Sequence, residues 1–146
     1  MCIVAKLQDW QDDVLSECGL SSIILDKGST KNNEILKSKA SNVFIVNFES
    51  AWRCTELLKW VDKDTYVLID ESHKIKSVSS KIGKFCNKLR LRTKTKCILT
   101  GTPQSKGYID YYNQLLFVDL FKMPYKVFTD TFCVYETKQF SGYPFK

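Results

Sequence analysis

Short apolar runs recur along the chain, each followed by a polar stretch and then by apolar residues at helical spacing. Ile23-Ile24-Leu25-Asp26, Val43-Phe44-Ile45-Val46-Asn47-Phe48, Tyr66-Val67-Leu68-Ile69-Asp70 and Cys97-Ile98-Leu99 are such runs. A continuous apolar run of this length reads as a strand covered on both faces. Ile3-Val4-Ala5 is a shorter run of the same kind and predicts one more strand. Between the runs lie helical patterns. Trp10 to Cys18 places Trp10, Val14 and Cys18 on one face, and Gly19 is a natural stop. Further helices are expected from Lys31 to Lys39, from Ala51 to Trp60, from Lys81 to Leu91 and from Ile109 to Phe117. In the fourth of these Ile82, Phe85 and Leu89 share a face. Strands alternating with helices of about a dozen residues argue for βαβ units and a parallel sheet.

Composition changes this picture little. A chain of 146 residues with 44% hydrophobic and 13% aromatic content supports a core and is not a disordered polymer. Lys and Arg number 22 against 16 acids, a formal charge of +6, which leans towards a polyanionic partner. The six cysteines are scattered without a Cys-x-x-Cys pair, and a single histidine gives no Cys/His zinc set. They read as buried thiols in a reducing compartment, and the chain is expected to be cytoplasmic. No run approaches the ~20 apolar residues of a membrane span, so no membrane partner is expected. From Phe121 onwards aromatics dominate: Phe121, Tyr125, Phe128, Phe132, Tyr135, Phe140, Tyr143 and Phe145. Two domains are expected, a lobe over 1–120 and an aromatic-rich tail over 121–146. The tail either packs back on the lobe or leads to a further part.

The candidate chemistry sits at the end of the Tyr66 run. Asp70 and Glu71 close it, and Ser72 and the sole histidine, His73, follow. Open α/β sheets keep their chemistry outside the carboxyl ends of their strands. This Asp-Glu-x-His segment resembles the acidic box of superfamily-two helicases, and its continuation Lys74-Ile75-Lys76-Ser77 resembles the Swi/Snf-type branch. A second match lies thirty positions after Asp70. Leu99-Thr100-Gly101-Thr102-Pro103 resembles the family's Ser/Thr-Gly/Ala-Thr coupling motif, with Gln104 directly after the proline where the family places it one residue later. Two weaker matches agree. Ile3 to Leu7 followed by Trp10 is similar to the first DNA-contacting motif, without its proline, and Asn47-Phe48-Glu49 to the step after the next strand.

The resemblance implies a RecA-like lobe of the P-loop NTPase type, with Mg²⁺ and ATP as the family's cofactors. It makes Asp70 the magnesium ligand, Glu71 the residue that orients the attacking water, and His73 their neighbour. Thr100, Gly101 and Thr102 become the coupling turn, its hydroxyls reaching towards the acidic box and His73. Lys6, Asn47, Lys74 and Lys76 become the DNA-contacting candidates, extended by Lys81, Lys84, Lys88, Arg90 and Arg92. Each of these lysines reads equally well as solvated surface.

The chain has no Gly-x-x-x-x-Gly-Lys-Ser/Thr phosphate loop, and no second lobe with arginine fingers follows. The expected lobe is therefore incomplete. Its phosphate-loop strand would lie beside the Cys97 run, which leaves an open parallel edge for a protein partner, a second copy or the tail to cover. The expected function is a remnant or fragment of a Swi/Snf-type ATPase lobe, inactive as an ATPase alone and weak on DNA alone. The alternative is a non-catalytic module that binds DNA or docks on another protein and regulates it. A third possibility is an α/β domain of unrelated role.

Overall fold

In the computed structural model residues 1–105 and 107–133 are described. Helices α1 (Leu7–Cys18), α2 (Ser29–Ser38), α3 (Phe48–Arg53), α4 (Thr55–Trp60), α5 (Lys81–Leu89), α6 (Tyr111–Phe117) and α7 (Tyr125–Phe132) alternate with strands β1 (Ile23–Leu25), β2 (Phe44–Val46), β3 (Tyr66–Ile69) and β4 (Thr95–Ile98). The strands form two parallel pairs, β1 with β2 and β3 with β4. Met1 and Cys2 join them. Cys2 N–H donates to Val46 O at 3.1 Å on one side, while Met1 nitrogen donates to Leu68 O and Asp70 N–H to Met1 O on the other. The order across the sheet is β1, β2, Met1–Cys2, β3, β4, with all chains running the same way.

Helices cover both faces of β1, β2 and most of β3, which is why those strands carry unbroken apolar runs, whereas β4 reads Thr-Lys-Cys-Ile and has no fully buried residue. Leu25, Val46, Val67 and Ile69 join Leu36, Leu57, Phe85, Cys86, Leu89 and Phe117 in the main core. On the opposite face Ile45 and Cys2 meet Leu7 of α1, with Trp10 and Ile24 packed beside them. Gly19 ends α1 in the left-handed region at φ 65°, the role expected of it.

Several boundaries differ from the sequence reading, each for a local reason. Ile3 to Ala5 is not a strand. The chain leaves the sheet after Cys2 and makes a 3-10 turn over Val4–Lys6, with Lys6 N–H on Ile3 O. Leu7 must reach back under the sheet to Cys2 and Ile45, and the turn that brings it there leaves Val4 exposed. The Val43 run stops at Val46 because Asn47 caps α3, its Oδ1 accepting from Ser50 N–H at 2.9 Å, so Phe48 starts a helix instead of extending the strand. The helix expected from Ala51 to Trp60 is two helices. Asn33 of α2 takes both the Cys54 thiol and the Glu56 N–H on its Oδ1, each at 3.1 Å, and so caps α4 from outside. The helix expected from Ile109 begins as a 3-10 turn over Tyr108–Asp110 and continues as α6.

Part of the aromatic segment folds back. Tyr112 of α6 is ringed by Phe121, Tyr125 and Phe128, with centroids 5.0 to 5.5 Å away. Tyr135, Phe140, Tyr143 and Phe145 lie outside the described residues. The six cysteines carry no disulfide, and burial pushes the Cys86 thiol up to about 12.

Gly83 in α5 sits where no side chain fits. A Cβ there would stand 2.0 Å from Ser77 O, on the segment that follows the acidic turn. Gly83→Ala is expected to lower stability by about 1–3 kcal/mol despite alanine's better helix propensity. A urea midpoint equal to the parent's would contradict that packing.

Candidate functional site

The site is built where β3 and β4 end. Their register, Ile69 against Ile98, continues past both strands: Leu99 N–H donates to Ile69 O and Ser72 N–H to Leu99 O, both at 2.8 Å. The two loops that follow are thus pinned to each other by backbone bonds before any side chain acts. Asp70 still belongs to the sheet. Its Oδ2 accepts the Trp10 indole N–H at 3.0 Å and its Oδ1 accepts the Glu71 N–H at 2.9 Å. Glu71 then takes the left-handed conformation, φ 54°, which an L side chain adopts only when its surroundings enforce it. That turn ends the strand.

Glu71 Oε2 lies 3.2 Å from His73 Nδ1. The same nitrogen is 3.3 Å from Thr100 Oγ1 and 3.4 Å from Thr102 Oγ1. Thr102 N–H closes a tight turn on Thr100 Oγ1 at 3.1 Å. One imidazole edge therefore meets a carboxylate from the acidic turn and two hydroxyls from the threonine turn. Gly101 is exposed, and a Cβ there would meet nothing within 4 Å.

A buried polar set, not singled out from the sequence, holds the two loops from below. Ser72 Oγ donates to Gln114 Oε1 at 2.7 Å, and Gln114 Nε2 donates to Pro103 O and Asp110 O at 2.8 Å each. Ser72 and Gln114 are almost fully buried. Asn113 Nδ2 donates to Ile75 O, and the Asp110 carboxylate accepts from Ser105 N–H and Oγ. Two cues were in reach: a Ser inside an otherwise charged turn, and an Asn-Gln pair on an otherwise apolar helix. Trp10, read as a helix-face residue and as part of the first DNA-contacting motif, also turns out to be Asp70's partner.

The proposed DNA contacts are not gathered in one place by hydrogen bonds. Lys6 pairs with Asp9 at 2.8 Å. Asn47 is buried, and its side-chain oxygen serves as the α3 cap. Lys76 reaches Asp110 at 3.3 Å and also bonds Ser105 Oγ. Lys74 is exposed next to His73. On α5, Lys81, Lys84 and Lys88 are exposed, and the Lys81 ammonium stands over the Trp52 ring at 4.8 Å, as Arg53 does at 5.0 Å. Arg90 is committed to Asp119.

The residues present do not complete a magnesium–nucleotide site. Asp70 has both carboxylate oxygens engaged inside the chain. Magnesium in nucleotide sites needs only one or two carboxylates, the phosphates supplying the rest, so the decisive gap is the missing phosphate cradle. No glycine-rich phosphate loop occurs in the sequence, and among the described residues no group of three His, Cys, Asp or Glu side chains is placed to hold a metal.

A parallel α/β sheet with an acidic turn and a threonine turn side by side at its carboxyl rim defines a helicase-type RecA-like lobe, here an incomplete one. The family model of the SNF2-related domain matches residues 1–139, and the chain belongs to that family. Its members are helicase-like, depend on ATP, generally with Mg²⁺, and act on DNA. No curated protein matches the chain. Among the described residues no helix is long and apolar enough to cross a membrane.

Proposed function

We propose that this chain is a first-lobe unit of the Swi/Snf type that presents the acidic turn and its coupling turn but does not hydrolyse ATP by itself. The observation that supports it is the shared imidazole edge: Glu71, Thr100 and Thr102 all within 3.4 Å of His73 Nδ1. With that contact and the Ser72–Leu99 backbone bond, a displacement of either loop is felt by the other. Asp70 and Glu71 keep the family's positions for the metal and the attacking water. The chain offers them no phosphate cradle to work against, so they await parts supplied from outside residues 1–146. The purified chain, with or without DNA, is expected to release phosphate from ATP no faster than its Asp70→Ala, Glu71→Gln form. DNA-stimulated release that both substitutions abolish would overturn the proposal.

A second reading, a binding module, is favoured by the rim itself. Among the described residues β4 pairs only with β3, and Leu99 at its end is 41% exposed. A parallel edge left open invites a strand or loop of a host protein, whereas the lysines of α5 and Lys74 offer contacts to DNA phosphates. Salt separates the two, because phosphate binding weakens steeply with ionic strength. In a pull-down from the host, retention of a defined protein at salt that strips DNA supports docking through the edge. Retention that vanishes with the DNA counts against it.

A further inference from the structure

At the edge of the sheet away from β4, β1 runs through Asp26 and the turn Lys27-Gly28 into Ser29-Thr30-Lys31, the first turn of α2. The N-terminus of α2 therefore stands at the carboxyl rim of the sheet, a place where helix amides meet anions. Among the described residues the N–H groups of Ser29, Thr30 and Lys31 have no acceptor, no side chain caps them, and no acid lies in that first turn. Asn32 N–H is the first to find an acceptor, Gly28 O at 3.0 Å. An uncapped helix start is ordinary by itself. The Asn32 side chain beneath it is not. It is fully buried, and its Oδ1 accepts Lys27 N–H at 3.1 Å, which holds the amide against the turn. Its Nδ2 has no partner. A helical side chain leans towards its own N-terminus, so this spare donor belongs to the same turn as the three free N–H groups. A buried donor left unpaired is costly and calls for an acceptor.

We propose that this turn is a phosphate site that takes one phosphate monoester dianion, either free phosphate or the terminal group of a small phosphate ester. The donors select the class. Three backbone N–H groups, the hydroxyls of the exposed Ser29 and Thr30, and Asn32 Nδ2 suit a group with three free oxygens and two charges. A nucleic-acid diester offers fewer oxygens and a single charge. The charged side chains point the same way. Lys27 and Lys31 are cations, Asp26 and Glu34 are anions, and all four are exposed. The surroundings are thus neutral, which favours one anion held by directed donors over a polyanion tracked by cations. Gly28, at φ 84° and with nothing within 4 Å of where a Cβ would stand, leaves the turn room to lift over a bound oxygen and bring it to Nδ2. Asp70 and Glu71 take no part, so failure here leaves the proposed function untouched.

The test is a nitrogen-resolved NMR titration of the full chain with inorganic phosphate at constant ionic strength, above the second phosphate pKa of ~6. Saturable shifts are expected at the Ser29, Thr30 and Lys31 amides and at the Asn32 side-chain amide. Glycerol phosphate in a parallel titration tells the ester from the free ion, and saturable binding of either supports the site. Asn32→Asp keeps an acceptor for Lys27 N–H but exchanges the spare donor for a carboxylate. It is expected to retain the amide spectrum elsewhere and to weaken phosphate binding about tenfold or more. The probe series on the parent chain stands even if that variant does not fold. Shifts that do not saturate, or phosphate binding unchanged in a folded Asn32→Asp, would overturn the proposal. Equal response to dimethyl phosphate, or to a DNA duplex without terminal phosphates, would overturn the monoester assignment.

Discussion

The candidate site depends on one constraint, the parallel pairing of β3 with β4 and its continuation beyond both strands. Leu99 bridges Ile69 and Ser72 through its own N–H and C=O. Main-chain bonds of this kind fix two loops in register whatever side chains they carry. Because the strands are parallel, both loops leave from the same rim. An antiparallel pair would have put the acids and the threonines at opposite ends of the sheet. The contact of His73 with Glu71, Thr100 and Thr102 is a consequence of that pairing.

Side chains then restrict how far the loops can drift. Ser72 and Gln114 bond each other where neither can reach water, and Gln114 also holds the carbonyls of Pro103 and Asp110. Removing one member leaves its partners buried and unsatisfied, which costs more than the bond itself contributes. On the other side Trp10 of α1 holds Asp70. The first helix is thereby tied to the acidic turn across the sheet, and movement of α1 reaches Asp70 through a single indole. Glu71 is held in a left-handed turn between these two anchors, a conformation that an isolated Glu would leave.

What could be read from the sequence was whatever the chain repeats locally. The apolar runs at Ile23, Val43 and Tyr66 marked parallel strands because burial on both faces removes the alternation a half-exposed strand would show, while the run at Cys97 marked only the end of β4, which starts at Thr95 and stops before Leu99. The spacing of Ile82, Phe85 and Leu89 gave the buried face of α5. Asp70, Glu71, His73, Thr100 and Thr102 could be brought together because two motifs at the ends of neighbouring parallel strands must share a rim. The features missed are those decided by partners far along the chain. Asn33 breaks the expected long helix at Cys54 from 21 positions away. Asn47 has the composition of a phosphate contact and the geometry of a helix cap. Ile3 to Ala5 has a strand's apolarity, yet Leu7 is needed against Cys2 and Ile45 and pulls the chain out of the sheet. The Ser72–Gln114 bond spans 42 positions, so the local pattern could mark each residue as out of place but could not pair them.

The central claim is that the acidic turn and the threonine turn form one unit meeting at the only histidine. The most direct measurement is proton–proton NOE spectroscopy on the full chain, reading the His73 ring against the γ-methyl groups of Thr100 and Thr102. Strong cross-peaks to both methyls, together with parallel-strand cross-peaks between β3 and β4, are the predicted result. A His73 ring with no cross-peak to either threonine would contradict the account.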